Sequence, residues 1–342
     1  MSQKKIAVIG GGVAGMEVAS QLDYLGHSVV LMEKEKELGG HVQNWFQLFP
    51  DRKAGNEIIN QLRSKILNSK VEIKTSTQIT DVSLKKNNIG LLDQQNQIYN
   101  LNAVVLTTGY DLFDARLKEE YGYGIYKNVI TSIELEEIFK SGKIINPLGK
   151  RPKRIGFVHC VGSRDEKCNN HHCSKLCCVT AVKQATEIRT IHPETEVFCF
   201  YMDMRMFGSN YEEMYRDSQE KHGVKYIRGR VSEAAESIDG EIQIKIEDTL
   251  TGRPLKMNVD LLVLLVGMLP SKETTLLGQK MALNFEQNGF IKGKDAHCHS
   301  NLTNEEGVFI AGTSSGPMNI TDSISHARAA AMEVDQFLNV KN

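Results

Sequence analysis

Apolar residues in this chain fall into short unbroken runs set between glycine turns and stretches of helical spacing. The first run, Ile6 to Ile9 in KKIAVIGGGVAG, predicts a strand buried on both faces, as in a parallel sheet. Glycines, a helix-forming stretch and then HSVVLM come next, so the opening reads strand, turn, helix, strand. Similar runs recur in VVLTTGYD, RIGFVH, TEVFCFYMDM, LLVLLVGMLP and GVFIAGTSSGP. Two other segments have helical spacing. FGSNYEEMYRDSQEKHGV is amphipathic, with aromatics suited to a core or a subunit interface, and MNITDSISHARAAAMEVDQFL is rich in helix formers. Strands alternating with helices predict an α/β fold, and no internal repeat is visible.

The first turn carries candidate chemistry. Gly10, Gly12 and Gly15 form GxGxxG between a strand and a helix, with Val13 and Ala14 inside the motif. Gly10 permits the tight turn, Gly12 lets a pyrophosphate approach the backbone, and Gly15 allows close contact between helix and strand. Glu33 closes the second strand about 20 residues on, where a carboxylate can hydrogen-bond an adenosine ribose. The reading is a dinucleotide site.

The residues after Glu33 indicate which dinucleotide. Glu33, Gly39 and Gly40, within EKEKELGGH, resemble the extended ExxxxxGG signature of the glutathione and thioredoxin reductase class, which implies FAD. Two later stretches resemble further parts of that class. Thr107, Thr108, Gly109 and Tyr110 match the strand end that returns the chain to the flavin domain. Gly312, Thr313 and Pro317 match the late strand that contacts the ribityl-pyrophosphate. Most relatives have Gly-Asp where this chain has Gly312-Thr313, a departure in which a hydroxyl replaces a carboxylate. A helix beginning at Ile320 and Thr321 would point its positive end at the flavin ring. Lys34 and His41, beside these motifs, complete the candidate flavin set. The predicted architecture is a discontinuous FAD domain, 1–150 and 260–342, around an inserted nucleotide-binding-like domain, 151–259, entered through NPLGKRP.

The inserted domain should have its own glycine turn after RIGFVH. It has Cys160-Val161-Gly162-Ser163-Arg164 instead. With one glycine left, a pyrophosphate cannot come close to the backbone, which argues against a conventional NAD(P)H site. Cys160, Cys173, Cys177 and Cys178 give C-x12-C-x3-C-C, with Cys168 left over. Four soft thiolates suit an iron-sulfur cluster. Zinc is the rival, with His159, His171 and His172 alongside, although adjacent Cys177 and Cys178 depart from its usual C-x2-4-C pairs. A disulfide is a third option, but no C-x-x-C occurs. Of the other cysteines, Cys199 reads as core, and Cys298 between His297 and His299 cannot easily converge three neighbouring side chains on one ion.

Charge and length narrow the function classes. The 342 residues contain 41 Lys and Arg against 42 Asp and Glu, so no basic field suggests nucleic acid or an anionic membrane. No apolar run approaches the ~18 residues that span a bilayer, and SQKK followed at once by a strand leaves no room for a signal peptide. The expectation is a cytoplasmic protein without membrane insertion, where clustered cysteines suit metal or cluster ligation better than structural disulfides.

CVGSRD, CSKLCCVTAVKQA, LGGH and AGTSSGP together resemble the A-type chain of heterodisulfide reductase and its relatives over nearly the whole sequence. The resemblance implies that Cys160, Cys173, Cys177 and Cys178 hold a 4Fe-4S cluster and that Lys183 reaches the isoalloxazine near N5, with Cys168 a spectator. It also implies a thioredoxin reductase-like flavoprotein whose second Rossmann-like domain is degenerate and carries the cluster. Electrons would be stored on FAD and passed through the cluster to iron-sulfur partners like the B and C components of these complexes, and the implied assembly is a homodimer. Lacking C-x2-C-x2-C-x3-C, the chain resembles the short forms in heterodisulfide reductase-like complexes of sulfur oxidisers. More distantly it resembles the A-type component of a quinone-interacting oxidoreductase. The competing expectation is a stand-alone NAD(P)H-dependent disulfide reductase.

Overall fold

The computed structural model describes residues 4–85 and 88–340. The chain divides into two compact units: Met1–Gln43, Asn56–Asp111 and Leu269–Asn342 form the first, and Asn44–Gly55 with Leu112–Met268 form the second.

In the first unit the strands Val308–Ile310, Ala103–Leu106, Lys5–Ile9, Ser28–Met32 and Glu72–Lys74 lie side by side in that order. Every pairing is parallel. The run Ile6 to Ile9 divides its side chains between two cores, because successive residues of a strand face opposite ways. Ile6 and Val8 pack with the helices Val13–Tyr24, Gly55–Leu67 and Ile320–Val340. Ala7 and Ile9 pack with Ile79, Ile89, Leu91 and Leu101 of a three-stranded antiparallel sheet and with Leu277 and Met281. Each large side chain buried this way contributes about 1.5–3 kcal/mol.

Register decides where the site residues emerge. Ile9 pairs with both Met32 and Leu106, and Leu106 with Ile310. Gly10, Glu33, Thr107 and Ala311 therefore leave the sheet together at its carboxyl edge, where ligands bind in open parallel sheets.

The second unit repeats the design. Its sheet runs Lys225–Arg228, Glu196–Tyr201, Arg154–Val161, Leu261–Val266, Val129–Thr131, again all parallel. The helix Ser132–Lys140 starts at a capping box formed by Thr131 and Glu134. With Cys177–Ile191 and Tyr211–Glu220 it packs on a core containing Phe157, Val179, Val182, Ile188 and Val263. A three-stranded antiparallel sheet, Val231–Glu236, Ile242–Asp248 and Arg253–Val259, completes the unit. The register of Arg154–Val161 against Leu261–Val266 slips between Val158 and Val161, so the sheet breaks at His159 and Cys160.

Candidate functional site

All the residues assigned from sequence to the dinucleotide site fall in the first unit, and those assigned to the metal fall in the second together with Lys183.

At the glycine turn, backbone proximity explains each motif position. Gly10 has φ of 108°, and a Cβ there would run into the Thr107 carbonyl. A Cβ on Gly15 would strike the Gly10 carbonyl and the Thr107 hydroxyl. A Cβ on Gly12 would meet nothing within 4 Å, so the space above that residue is open to a ligand. The helix Val13–Tyr24 begins there with no side-chain cap and no acidic residue in its first turn, which leaves its positive end and its first N-H groups for an anion.

Glu33 is buried, and its carboxylate accepts the Gly11 N-H at 2.5 Å and the Glu35 N-H at 2.9 Å. Gly11 is a participant the sequence reading missed. Its carbonyl also accepts the Gly39 N-H at 2.9 Å, and a Cβ on Gly40 would lie 3.2 Å from the Gly12 Cα. The Gly39-Gly40 pair is thus fastened to the glycine turn, with φ of 140° and 58°. Arg63 holds the preceding residue in place by donating from Nε to the Leu38 carbonyl at 3.0 Å.

The later motifs join the same edge. Thr107 donates its N-H to Ile9 and its hydroxyl to the carbonyls of Ile9 (2.9 Å) and Gly10 (2.8 Å). The Thr108 hydroxyl pairs with that of Thr274 at 2.6 Å. The His41 ring stacks on Tyr110, centroids 4.2 Å apart, and its Nε2 lies 2.7 Å from the Tyr110 carbonyl. Lys34 pairs with Glu273 at 3.1 Å. Gly312, with φ of 66°, donates its N-H to His326 Nδ1 at 3.1 Å, and Thr313 lies opposite Gly109. Pro317 is buried ahead of the helix Ile320–Val340. Asn319, also missed from sequence, caps that helix by accepting the Asp322 N-H at 2.7 Å. Ile320 is half-buried and Thr321 exposed.

In the second unit, a folded-back loop joins the strand Arg154–Val161 to the helix Cys177–Ile191. Arg164 N-H donates to the His172 carbonyl (3.0 Å), and Asp165 and Asn170 exchange backbone hydrogen bonds at 2.8 and 3.0 Å. This pairing returns the chain, so Cys173 is carried back toward the strand end that bears Cys160. Cys168 sits at the turned end of the loop, in the short 3-10 helix Glu166–Cys168. Cys160 adopts φ of 58° and Arg164 φ of 53°, left-handed conformations that cost non-glycine residues about 1–3 kcal/mol each.

Cys160, Cys177 and Cys178 are buried, and the first two sulfurs are 3.7 Å apart. Cys177 and Cys178 open a helix, whose N-terminus favours thiolate. The three thiols share protons as a group. The hydrogen bond from Cys177 pulls Cys178 well below the ordinary thiol range against burial, and His159 adds to the effect. The same partner lowers Cys160, while Cys177 is driven up as the proton holder. Among the described residues neither ring nitrogen of the buried His159 makes a well-formed hydrogen bond, and the ring acts on Cys178 through its nearness. Cys173 is half-buried and accepts the Lys175 N-H at 3.3 Å. Among the described residues no three His, Cys, Asp or Glu side chains are arranged to hold a single metal ion. Cys199 is buried, with its thiol pushed up by burial, and Cys298 is exposed.

Lys183 is buried in an ion pair. Its Nζ donates to Glu136 Oε1 and Oε2 at 2.7 and 2.8 Å, and Glu187 lies 3.2 Å away. Glu136 also accepts from the Gln184 amide at 2.6 Å and from the Phe46 N-H at 3.0 Å. Burial, against the attraction of Lys183, raises the Glu187 pKa. Glu136 could not have been found by local reading, since it lies 47 residues from Lys183.

These features define a flavoprotein reductase fold. The chain matches the pyridine nucleotide-disulphide oxidoreductase family over residues 1–131 and 177–333 and belongs to that family, which implies FAD. The intervening stretch, 132–176, contains Cys160, Cys168 and Cys173. The chain is 31% identical over 418 residues to the A-type iron-sulfur chain of the CoB–CoM heterodisulfide reductase of Methanocaldococcus jannaschii, covering 97% of this chain and 64% of that one. It is 40% identical over 237 residues to the A-type chain of the H(2):CoB-CoM heterodisulfide,ferredoxin reductase of Methanothermobacter thermautotrophicus, covering 68% of this chain and 36% of that one. The chain thus spans less than two thirds of either relative. Among solved structures, thioredoxin reductase of Lactococcus lactis aligns with a TM-score of 0.70 at 17% identity, covering 99% of this chain and all of that one. That of T. acidophilum gives 0.68, also at 17% identity and with the same coverage. They share the fold. No helix among the described residues is long and apolar enough to cross a membrane.

Proposed function

We propose that this chain is an FAD- and 4Fe-4S-dependent electron-transfer subunit of a heterodisulfide reductase-like complex. One observation carries the reading. The same strand-to-helix junction occurs in both units, furnished with glycines in the first and with thiols in the second.

The residues fit FAD. The space over Gly12 and the uncapped helix start at Val13 would take the pyrophosphate. An ionised carboxylate accepts about four hydrogen bonds, and Glu33 uses two, leaving capacity for ribose hydroxyls. Asn319 takes up the Asp322 N-H, so Ile320 and Thr321 are the donors left at the start of that helix for the flavin. Gly39, Gly40, Thr107 to Tyr110 and Gly312-Thr313 would line the same cleft.

The donor set at the second junction suits an iron-sulfur cluster, with Cys160, Cys173, Cys177 and Cys178 as ligands. Cys160, Cys177 and Cys178 form one buried group in which Cys160 and Cys178 lose their protons readily and Cys177 holds its own. When bound, the two cofactors supply two-electron storage and one-electron transfer. For Lys183 a role at the flavin rests on the resemblance alone, and its ammonium would have to exchange Glu136 for the new partner. Iron-sulfur proteins like the B and C components would be its partners, with sulfur oxidation as the setting and a homodimer as the assembly.

A second reading draws on the 3.7 Å between the Cys160 and Cys177 sulfurs, which also suits a redox-active dithiol in a stand-alone disulfide reductase. Metal, sulfide and flavin analysis of protein purified without oxygen separates the two. About four irons and one FAD per chain support the carrier; FAD without iron, with rapid flavin bleaching by NAD(P)H, supports the dithiol enzyme.

A further inference from the structure

CVGSRD ends in two charged residues that ligation by cysteine does not explain. Asp165 has a structural account: it accepts Lys118 Nζ at 2.7 Å and a hydrogen bond from Arg230, and it caps the turn Glu166–Cys168. Arg164 does not. Its backbone is held in the left-handed region, its N-H closes the loop on His172, and its Nη2 donates to Asp203 Oδ2 at 2.6 Å. Its Nη1 is buried with no hydrogen-bond partner among the described residues. A buried guanidinium nitrogen is costly to leave without an acceptor. Burial works against the charge, but Asp203 and the nearby thiols of Cys160 and Cys173 outweigh it and raise the Arg164 pKa. Geometry puts Arg164 beside the thiols at two points: its partner Asp203 accepts from Cys178 Sγ through its carbonyl at 3.6 Å, and its own N-H is bonded to the carbonyl of His172, the neighbour of Cys173.

We propose that Arg164 is the cation that borders the cysteine group and that its free Nη1-H donates a hydrogen bond to a sulfur there, a cysteine thiolate or an inorganic sulfide. This rests on the cluster reading given above. Reduction adds negative charge to the centre. A fixed cation with a donor aimed at sulfur stabilises the reduced form more than the oxidised one and so raises the reduction potential. Asp203 also accepts a hydrogen bond from Arg228 on its other oxygen, at 3.4 Å.

The test uses the full chain purified without oxygen, as wild type, Arg164→Gln and Arg164→Lys, with iron and sulfide content and a dye-mediated potentiometric titration of the centre as readouts. Arg164→Gln should keep its iron and show about a tenfold lower ratio of reduced to oxidised centre at a fixed poise, equivalent to about 59 mV for a one-electron couple. Arg164→Lys, which keeps the charge and loses the fork, should fall between the two. If Arg164→Gln loses its iron, a ratio in Arg164→Lys lower than in wild type by more than about twofold still supports the assignment, and an unchanged one overturns it. Iron in all three with ratios equal within about twofold overturns this inference alone. A wild type without iron overturns the cluster reading and this inference with it.

Discussion

The two strand-to-helix junctions share one topology and differ in length and content. In the first unit three residues, 10–12, separate Ile9 from the helix at Val13; in the second, fifteen, 162–176, separate Val161 from the helix at Cys177. The short junction is defined by what is missing, since a Cβ at Gly10 or Gly15 would strike backbone. The long one carries side chains at the matching places, the buried thiols of Cys160, Cys177 and Cys178. The helices behind them also bury opposite charges. Glu17 is paired with Arg328 and Lys65, and Lys183 with Glu136. A parallel sheet thus offers one edge that can be finished either as a backbone cradle or as a side-chain cage.

The strongest way to break this contrast is Cys177→Ser, which should abolish bound iron while leaving FAD near one per chain, as read by metal and flavin analysis. Glu136→Gln comes next. Breaking a buried ion pair costs about 3–5 kcal/mol, so urea unfolding should show a loss of that order, confined to the unit that holds Lys183. Gly15→Ala tests the other junction: forcing a Cβ against the Gly10 carbonyl should cost about 1–3 kcal/mol and deplete FAD, with iron retained.

A smaller, pH-dependent effect belongs to Glu17. Burial works to raise its pKa, but hydrogen bonds from Arg328 and Lys65 win and hold it below the ordinary range. The stability it contributes is complete above the unfolded value of about 4.3 and disappears as pH falls through the lower folded value. Glu17→Gln should therefore lose roughly 1–3 kcal/mol at neutral pH, and denaturation curves should show wild type and variant converging in acid. Smallest of all, Cys168→Ser should leave iron content and stability unchanged, since Cys168 lies at the turned end of its loop; loss of iron would show that it ligates.

Much of the first junction was legible because its signals are local. A run such as Ile6 to Ile9 reports a strand covered on both faces, and glycines at fixed offsets report close backbone approach. Gly11 escaped notice because its role, linking Glu33 to Gly39, appears only once the strands are in register. The cysteine spacing was equally plain in the sequence, but the return of Cys173 was not. It depends on the Arg164 to His172 pairing, which has no local signature. Lys183 shows the limit most sharply: nothing near it in sequence reveals that Glu136, on the helix Ser132–Lys140, holds its ammonium.

The loop between Cys160 and Cys173 is a closed ladder, and that changes what its length means. Its rungs are the pairs Arg164–His172 and Asp165–Asn170, and beyond the last rung lies only the turn at 166–169. Residues added or removed beyond that rung lengthen or shorten a free end without moving either thiol. Twelve residues separate the two cysteines, yet only the rungs dictate where Cys173 comes to rest. A search for kindred chains should therefore hold the flanks CVGSR and CSKLCC fixed and let the distance between them vary.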